Sequence, residues 1–100
     1  MVGVYECTRG FWVEERYGLQ AQIRRAAVSA STNIVEGWAR ATGREYAQFL
    51  RVALGSASEV RYLLGLSRRL RLVDAEQLEG RYDELVRGLQ KRIDAVIGES

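Results

Sequence analysis

The chain has 100 residues, of which 47% are hydrophobic and 28% are charged, and it carries a net charge of +2. This composition indicates one globular domain with a modest core and excludes a disordered chain. Because the chain has no histidine and Cys7 is its single cysteine, neither a zinc site nor a disulfide framework is expected, and no other cofactor is indicated. No apolar run approaches the ~20 residues of a membrane span, and no segment resembles a signal peptide. We therefore expect a cytoplasmic protein without a membrane segment.

The absence of proline and the many Ala, Leu, Arg and Glu residues favour helices, and no segment alternates with the period of a strand. A short helix is predicted at residues 2–9, and a long one follows at residues 19–40. The long helix has an apolar stripe with steps of three and four residues, which is typical of a core-facing helix. The stripe consists of Leu19, Ile23, Ala26, Ala30, Ile34 and Gly37.

The same helix has a second apolar strip on the opposite side. Ala21, Val28 and Val35 recur there at seven-residue spacing. A helix with apolar residues on two faces is usually buried on both sides. A domain this small cannot easily cover both faces, so we expect this strip to lie in the interface of a homo-oligomer.

Two capping patterns predict where the next helices begin. Thr42 and Glu45 have the spacing of a capping box, in which each side chain bonds the other residue's amide, and they predict a helix over residues 43–70. Asp74 and Gln77 repeat the spacing and predict a last helix over residues 75–97. The connections are short, so consecutive helices should be antiparallel neighbours. Residues 1–100 are thus expected to form one helical-bundle domain.

Several polar residues lie among the apolar positions of the two central helices. They are Ser29, Asn33, Glu36, Ser56 and Glu59. A catalytic use of Glu36 and Glu59 would need them to converge in a pocket, and a metal would need more oxygen ligands or histidine. The sequence supplies neither, so we predict no catalytic and no metal-binding residues. We expect these groups to be structural and to form hydrogen bonds between helices, because buried polar groups without partners are unfavourable.

The positive charge is concentrated in the middle of the chain, where residues 16–73 contain ten Arg against three Glu. Such a segment could contact nucleic acid, or it could complement the acidic segment that follows it. The candidates for phosphate contact are Arg24, Arg25, Arg40, Arg44 and Arg51. Trp38, Tyr46 and Tyr62 could stack on bases, although packing is the commoner use of such residues.

Two segments carry a resemblance to a known family: EERYGLQAQIRRAAVSASTNIVEG, residues 14–37, and REYAQFLRVALGSASEVRYLL, residues 44–64. The chain resembles the bacterial four-helix-bundle proteins encoded in intervening sequences of 23S ribosomal RNA genes. The accessory variability protein of diversity-generating retroelements shares that fold. The resemblance implies an all-α, antiparallel up-down four-helix bundle, here with a shortened first helix at residues 2–9, as the subunit of a homo-oligomer, in particular a pentamer.

The function implied by these features has two main alternatives. The first is a non-enzymatic protein that binds RNA or DNA, or acts as an adaptor, through an Arg-lined surface created by assembly. The second is a structural or protein-interaction module that binds a protein partner and no nucleic acid. A third and weaker alternative is an enzyme that uses Glu36 and Glu59.

Overall fold

A computed structural model describes residues 16–70 and 75–98 of the chain. A π-helical turn at Arg16–Gln20 leads into helix α1, Ala21–Trp38; helix α2 is Gly43–Arg69 and helix α3 is Glu76–Gly98. These ranges contain no strand, so the all-α prediction is confirmed for them. The short helix predicted at residues 2–9, and Asp74 of the second capping pattern, lie outside the described residues.

The boundary between α1 and α2 follows from local hydrogen bonds. At the end of α1 the Ala39 amide donates to the Glu36 carbonyl at 3.2 Å, a three-residue step that tightens the last turn. Thr42 has an extended backbone, and its Oγ1 accepts from the Glu45 amide at 3.2 Å. This is the predicted cap of α2. The return bond of a capping box, from the Thr42 amide to the Glu45 side chain, is not formed in the described structure.

Contacts between helices show that neighbours run in opposite directions. Ser29 of α1 meets Ser56 of α2, whereas Gly37, further along α1, packs on Tyr46, which lies earlier in α2. Likewise Arg61 of α2 pairs with Asp83 of α3, whereas Arg68, further along α2, pairs with Glu79, which lies earlier in α3. The three helices therefore form an up-down-up arrangement with α2 packed against both of the others.

The core consists of two groups of buried side chains. One lies toward the start of α1 and contains Ile23, Ala26, Ala27, Val60, Leu63, Leu64 and Ala75. The other contains Ala30, Leu50, Ala53, Ala57, Leu89 and Ile93, and the half-buried Tyr82 packs against both groups. The predicted stripe of α1 supplies Ile23, Ala26 and Ala30 of these positions. Burial of each large aliphatic side chain contributes about 1.5–3 kcal/mol, which makes this core the main stabilising feature of the fold.

Small residues let α1 approach α2 closely. Ala26, Ala30 and Gly37 are all buried on the side of α1 that faces the core. A Cβ atom placed on Gly37 would lie 3.0 Å from Cδ1 of Tyr46 and 3.2 Å from Cβ of Phe49. The absence of a side chain at Gly37 therefore sets the helix separation beside the turn between α1 and α2.

No helix within residues 16–70 and 75–98 combines the length and the apolar character that a bilayer crossing requires.

Candidate functional site

One pair of hydroxyl groups joins α1 to α2. Ser29 Oγ and Ser56 Oγ lie 2.8 Å apart, and the Asn33 amide donates to the Ser29 carbonyl at 2.8 Å and to the Ser29 hydroxyl at 3.3 Å. Glu36 is exposed and pairs with Arg40 at 2.8 Å, four residues away. Of the residues expected to form hydrogen bonds between helices, Ser29 and Ser56 do so. Asn33 and Glu36 instead bond residues four positions away in the same part of the chain.

Glu59 lies in a different place from Glu36. It lines a cavity of about 340 Å³ between α1 and α2, together with Gln22, Arg25, Ala26, Ser29 and Ser56. Glu36 is not part of that lining, so the two carboxylates do not converge on one cavity. Within the described ranges no three Asp, Glu or Cys side chains are grouped as a metal site would require.

Of the five candidate arginines, Arg24 and Arg40 have partners within the chain. Arg24 is half-buried, and the Gln20 amide, oriented with its oxygen toward the guanidinium, accepts hydrogen bonds from it. Arg40 pairs with Glu36 and also stacks on the Phe49 ring, with its guanidinium carbon 4.5 Å from the ring centre. Their side chains are therefore held in place by neighbouring residues.

The other three candidates, Arg25, Arg44 and Arg51, are exposed. No carboxylate of the described chain lies within ion-pair distance of any of them. Arg44 and Arg51 are seven residues apart on α2, about two helical turns, so both project from the same side of that helix. Within residues 16–70 and 75–98 their charges are not neutralised by an ion pair.

Other arginines of the basic segment are neutralised by α3. Arg61 contacts Asp83 at 2.9 Å and Arg68 contacts Glu79 at 2.8 Å, and both bonds link α2 to α3. Asp83 also accepts from Arg87 at 3.0 Å. Ion pairs with α3 therefore account for the positive charge on one side of α2. Arg44 and Arg51 take no part in these pairs.

The second apolar strip of α1 is not covered by the described part of the chain. Val28 is 40% exposed and Val35 is 69% exposed, and Ala21 is exposed as well. On α2, Val52 and Tyr62 are also largely exposed. Exposed apolar residues aligned along a helix are typical of an association surface.

A second cavity lies at the turn between α1 and α2 and has a volume of about 310 Å³. It is lined by Gly37, Trp38, Arg40, Ala41, Thr42, Gly43, Tyr46 and Arg92. The lining contains two guanidinium groups and no carboxylate. Arg92 was not among the residues predicted from sequence, because its position beside Tyr46 depends on how α3 pairs with α2.

The comparison with known proteins agrees with the resemblance seen in the sequence. No curated protein gives a significant match to the chain. A family model described as 23S rRNA-intervening sequence protein matches residues 1–93. The match covers α1, α2 and most of α3. On this ground the chain belongs to the family of 23S rRNA-intervening sequence proteins.

Proposed function

We propose that the protein is a non-enzymatic helical-bundle subunit that forms a homo-oligomer and binds the phosphate backbone of nucleic acid. The observation that carries this proposal is the exposure of Arg25, Arg44 and Arg51, which have no ion-pair partner among the described residues. A guanidinium has a planar fork of donors that matches phosphate oxygens. The cytoplasm is the location proposed for this function, because nucleic acid is accessible there.

Self-association is the second part of the proposal. Val28 and Val35 lie exposed along one side of α1, and burial of such a strip against another subunit would remove apolar surface from water. The family resemblance favours five subunits, each a four-helix bundle to which α1, α2 and α3 contribute three helices. Repetition of the arginines around such a ring would let weak phosphate contacts act together through a high effective concentration.

The binding should be almost independent of nucleotide sequence. Contacts from arginine to phosphate position a protein on nucleic acid without reading the bases. They also release bound counterions, so affinity should fall steeply as salt rises. These two properties separate backbone binding from recognition of a specific site.

The test is a titration of fluorescent RNA and DNA, single-stranded and duplex, with the assembled protein at ~50 and ~200 mM salt, where phosphate contacts show a large salt dependence. Replacement of Arg25, Arg44 and Arg51 by Gln should weaken binding of every nucleic acid and reduce the salt dependence by about one unit per lost contact. Light scattering checks that the oligomer is unchanged.

A matched control removes charge from another part of the molecule. Arg81 and Lys91 are exposed bases on α3, and the variant Arg81→Gln/Lys91→Gln is compared with Arg44→Gln/Arg51→Gln. Both double variants lose the same formal charge, so only the position of the loss differs. If the two double variants weaken nucleic-acid binding equally, the effect depends on net charge alone and the proposed surface is contradicted. Absence of binding by the intact oligomer at low salt would favour the protein-interaction module.

The proposal contains no catalytic step. Glu36 is held by Arg40, and Glu59 lines a cavity that Glu36 does not reach. A general acid and base would need to converge on one substrate atom. A hydrolytic activity that disappears in Glu59→Gln, with the free energy of unfolding unchanged, would overturn the non-enzymatic assignment.

A further inference from the structure

We propose that the outward side of α2 binds single-stranded nucleic acid in preference to duplex, with Tyr62 as the residue on which a base stacks. This inference rests on the backbone-binding function proposed above, and it names the form of nucleic acid that the surface takes. The observation that carries it is the alignment of the exposed Tyr62 ring with Arg44 and Arg51, two arginines without an ion pair among the described residues.

Helical geometry places Tyr62 on the same side of α2 as the two arginines. Because an α-helix has ~3.6 residues per turn, Tyr62 follows Arg44 by about five complete turns, and both side chains leave the helix in the same direction. Arg51 deviates from this direction by only about 20°. All three side chains are exposed. They form a line roughly 27 Å long, and we call this line of Arg44, Arg51 and Tyr62 the α2 ridge.

The Tyr62 ring is not used inside the described part of the chain. Its side chain is 61% exposed, and it forms no hydrogen bond and no ring contact with residues 16–70 and 75–98. Tyr46 and Tyr82, by contrast, are half-buried and pack against the core. A ring that neither packs nor bonds within the chain offers a flat surface on which a base can stack.

Small residues lie between Arg51 and Tyr62 along the α2 ridge. Gly55 is exposed, and a Cβ atom placed on it would have no atom within 4 Å. Ser58 is half-buried and adds only a hydroxymethyl group. A strand that contacts Arg51 can therefore lie close to the helix until it reaches the Tyr62 ring.

The acidic residues of α2 lie to one side of the α2 ridge. They are Glu45 and Glu59. Glu59 lines the cavity that α2 shares with α1, and Glu45 is rotated by about 100° from Arg44 around the helix. On the other side, Arg61 and Arg68 are neutralised by α3. The positive charge that remains on α2 without an ion pair thus includes the arginines that are in line with Tyr62.

A single strand can use both the arginines and the ring, whereas a duplex can use only the arginines. Bases inside a duplex are covered by neighbouring base pairs and present only their edges in the grooves. Unpaired bases can turn a face toward an aromatic side chain. Every base has such a face, so the preference for single strands does not require a particular nucleotide sequence.

The test uses three fluorescent probes and compares each variant with the unmodified protein on each probe at ~50 mM salt. The first is an oligothymidylate of about eight nucleotides, which at ~3.4 Å or more per nucleotide spans the α2 ridge. The second is an abasic strand of the same length and charge, and the third is a blunt duplex. The abasic strand retains the phosphates but has no base to stack.

Tyr62→Ala should weaken binding of the oligothymidylate by about fivefold or more, the factor expected for loss of one stacked base. The same variant should bind the abasic strand and the duplex as the unmodified protein does. Tyr62→Phe keeps a ring and should retain the affinity for all three probes. Val52→Ala is the matched control, because Val52 is 52% exposed on the same helix but is rotated by about 80° from Tyr62, and it should leave every affinity unchanged.

Two results would contradict the role of Tyr62. One is an oligothymidylate affinity that Tyr62→Ala leaves unchanged or lowers no more than that of the abasic strand. The other is a reduced oligomer mass for Tyr62→Ala in light scattering, which would assign the ring to a contact between subunits.

These failures are distinguishable from failure of the backbone-binding function. If Arg44→Gln/Arg51→Gln still weakens binding of all three probes, phosphate binding stands and the single-strand preference alone is lost. If the unmodified protein binds none of the three probes at ~50 mM salt, the backbone-binding function is refuted, and this inference is refuted with it.

Discussion

Ser29 on α1 and Ser56 on α2 bring their hydroxyl oxygens to 2.8 Å across the helix interface. Both side chains are half-buried and border the cavity that also contains Arg25 and Glu59. Asn33 supports the pair from the next turn of α1 by donating to the Ser29 carbonyl. The pair adds a polar link to the contacts that buried residues such as Ala26, Ala30 and Ala57 make between the two helices.

We expect the two serines to be energetically coupled. Ser29→Ala and Ser56→Ala each leave one hydroxyl without its inter-helix partner, whereas the double variant removes both hydroxyls. The double variant should therefore lose about 0.5–1.5 kcal/mol less than the sum of the two single losses in the free energy of unfolding. Urea unfolding of the four proteins measures the coupling. Additive losses would show that the hydrogen bond does not stabilise the helix pair.

Two glycines should respond oppositely to replacement by alanine. Gly37→Ala places a Cβ 3.0 Å from Tyr46 and should destabilise the fold by about 1–3 kcal/mol, because α1 and α2 must separate. Gly88 in α3 has no atom within 4 Å of such a Cβ, so Gly88→Ala should stabilise the helix by about 0.5–1 kcal/mol. Thermal unfolding measures both. An equal change of Tm in both variants would show that the packing at Gly37 is not tight.

The apolar strip of α1 leads to a prediction about assembly. If Val35 is buried between subunits, Val35→Asp places a carboxylate in an apolar interface, which is strongly unfavourable, and the oligomer should dissociate. Ile97→Asp is the matched control, since Ile97 is 46% exposed at the end of α3. Light scattering should give a reduced mass for Val35→Asp alone. A monomeric mass for the unmodified protein at micromolar concentration would refute the interface.

Tyr82 leads to a prediction about alkaline pH. Burial raises the pKa of the Tyr82 phenol above its ordinary value of 10.0, because the charged form loses solvation. The folded state then holds this proton more tightly than the unfolded state. Its contribution to stability is present below the unfolded pKa and is lost as the pH rises from about 10 through the folded pKa.

Tyr82→Phe should consequently lose less stability than the unmodified protein between pH ~9 and pH ~11, an interval that spans the ordinary tyrosine pKa. Tyr62→Phe is the control, because the Tyr62 side chain is 61% exposed. Urea unfolding at a series of pH values gives the two slopes. If Tyr82→Phe leaves the pH dependence of the free energy of unfolding unchanged, the Tyr82 phenol has the same pKa in the folded and the unfolded state.

Local patterns in the sequence were sufficient to predict the three described helices and the buried side of α1. The step of three and four residues identified Ile23, Ala30 and Gly37 as core positions of α1, and all three are buried. Thr42 was identified as the cap of α2 from its spacing to Glu45, and that bond is present. Such features depend on residues within one or two helical turns, so a linear pattern contains them.

Tertiary packing determined which polar residues meet. Arg61 could be assigned either to an external anion or to a neighbouring helix from the sequence, and the structure places Asp83 at 2.9 Å from it. Ser67 is fully buried, although serine suggests an exposed position, because its hydroxyl donates to the Leu63 carbonyl at 2.8 Å. Glu36 and Glu59, by contrast, do not share a cavity.

The cavity at the α1–α2 turn shows most clearly how local sequence patterns differ from tertiary packing in what they determine. The sequence identified Trp38 and Tyr46 as aromatic residues that could stack and Arg40 as a phosphate candidate, since each property belongs to the residue itself. Arg92 joins them only because α3 packs antiparallel to α2 and brings residues 46 positions apart into contact. The relative register of two helices is set by the fit of many side chains at once, and no short stretch of sequence contains that information.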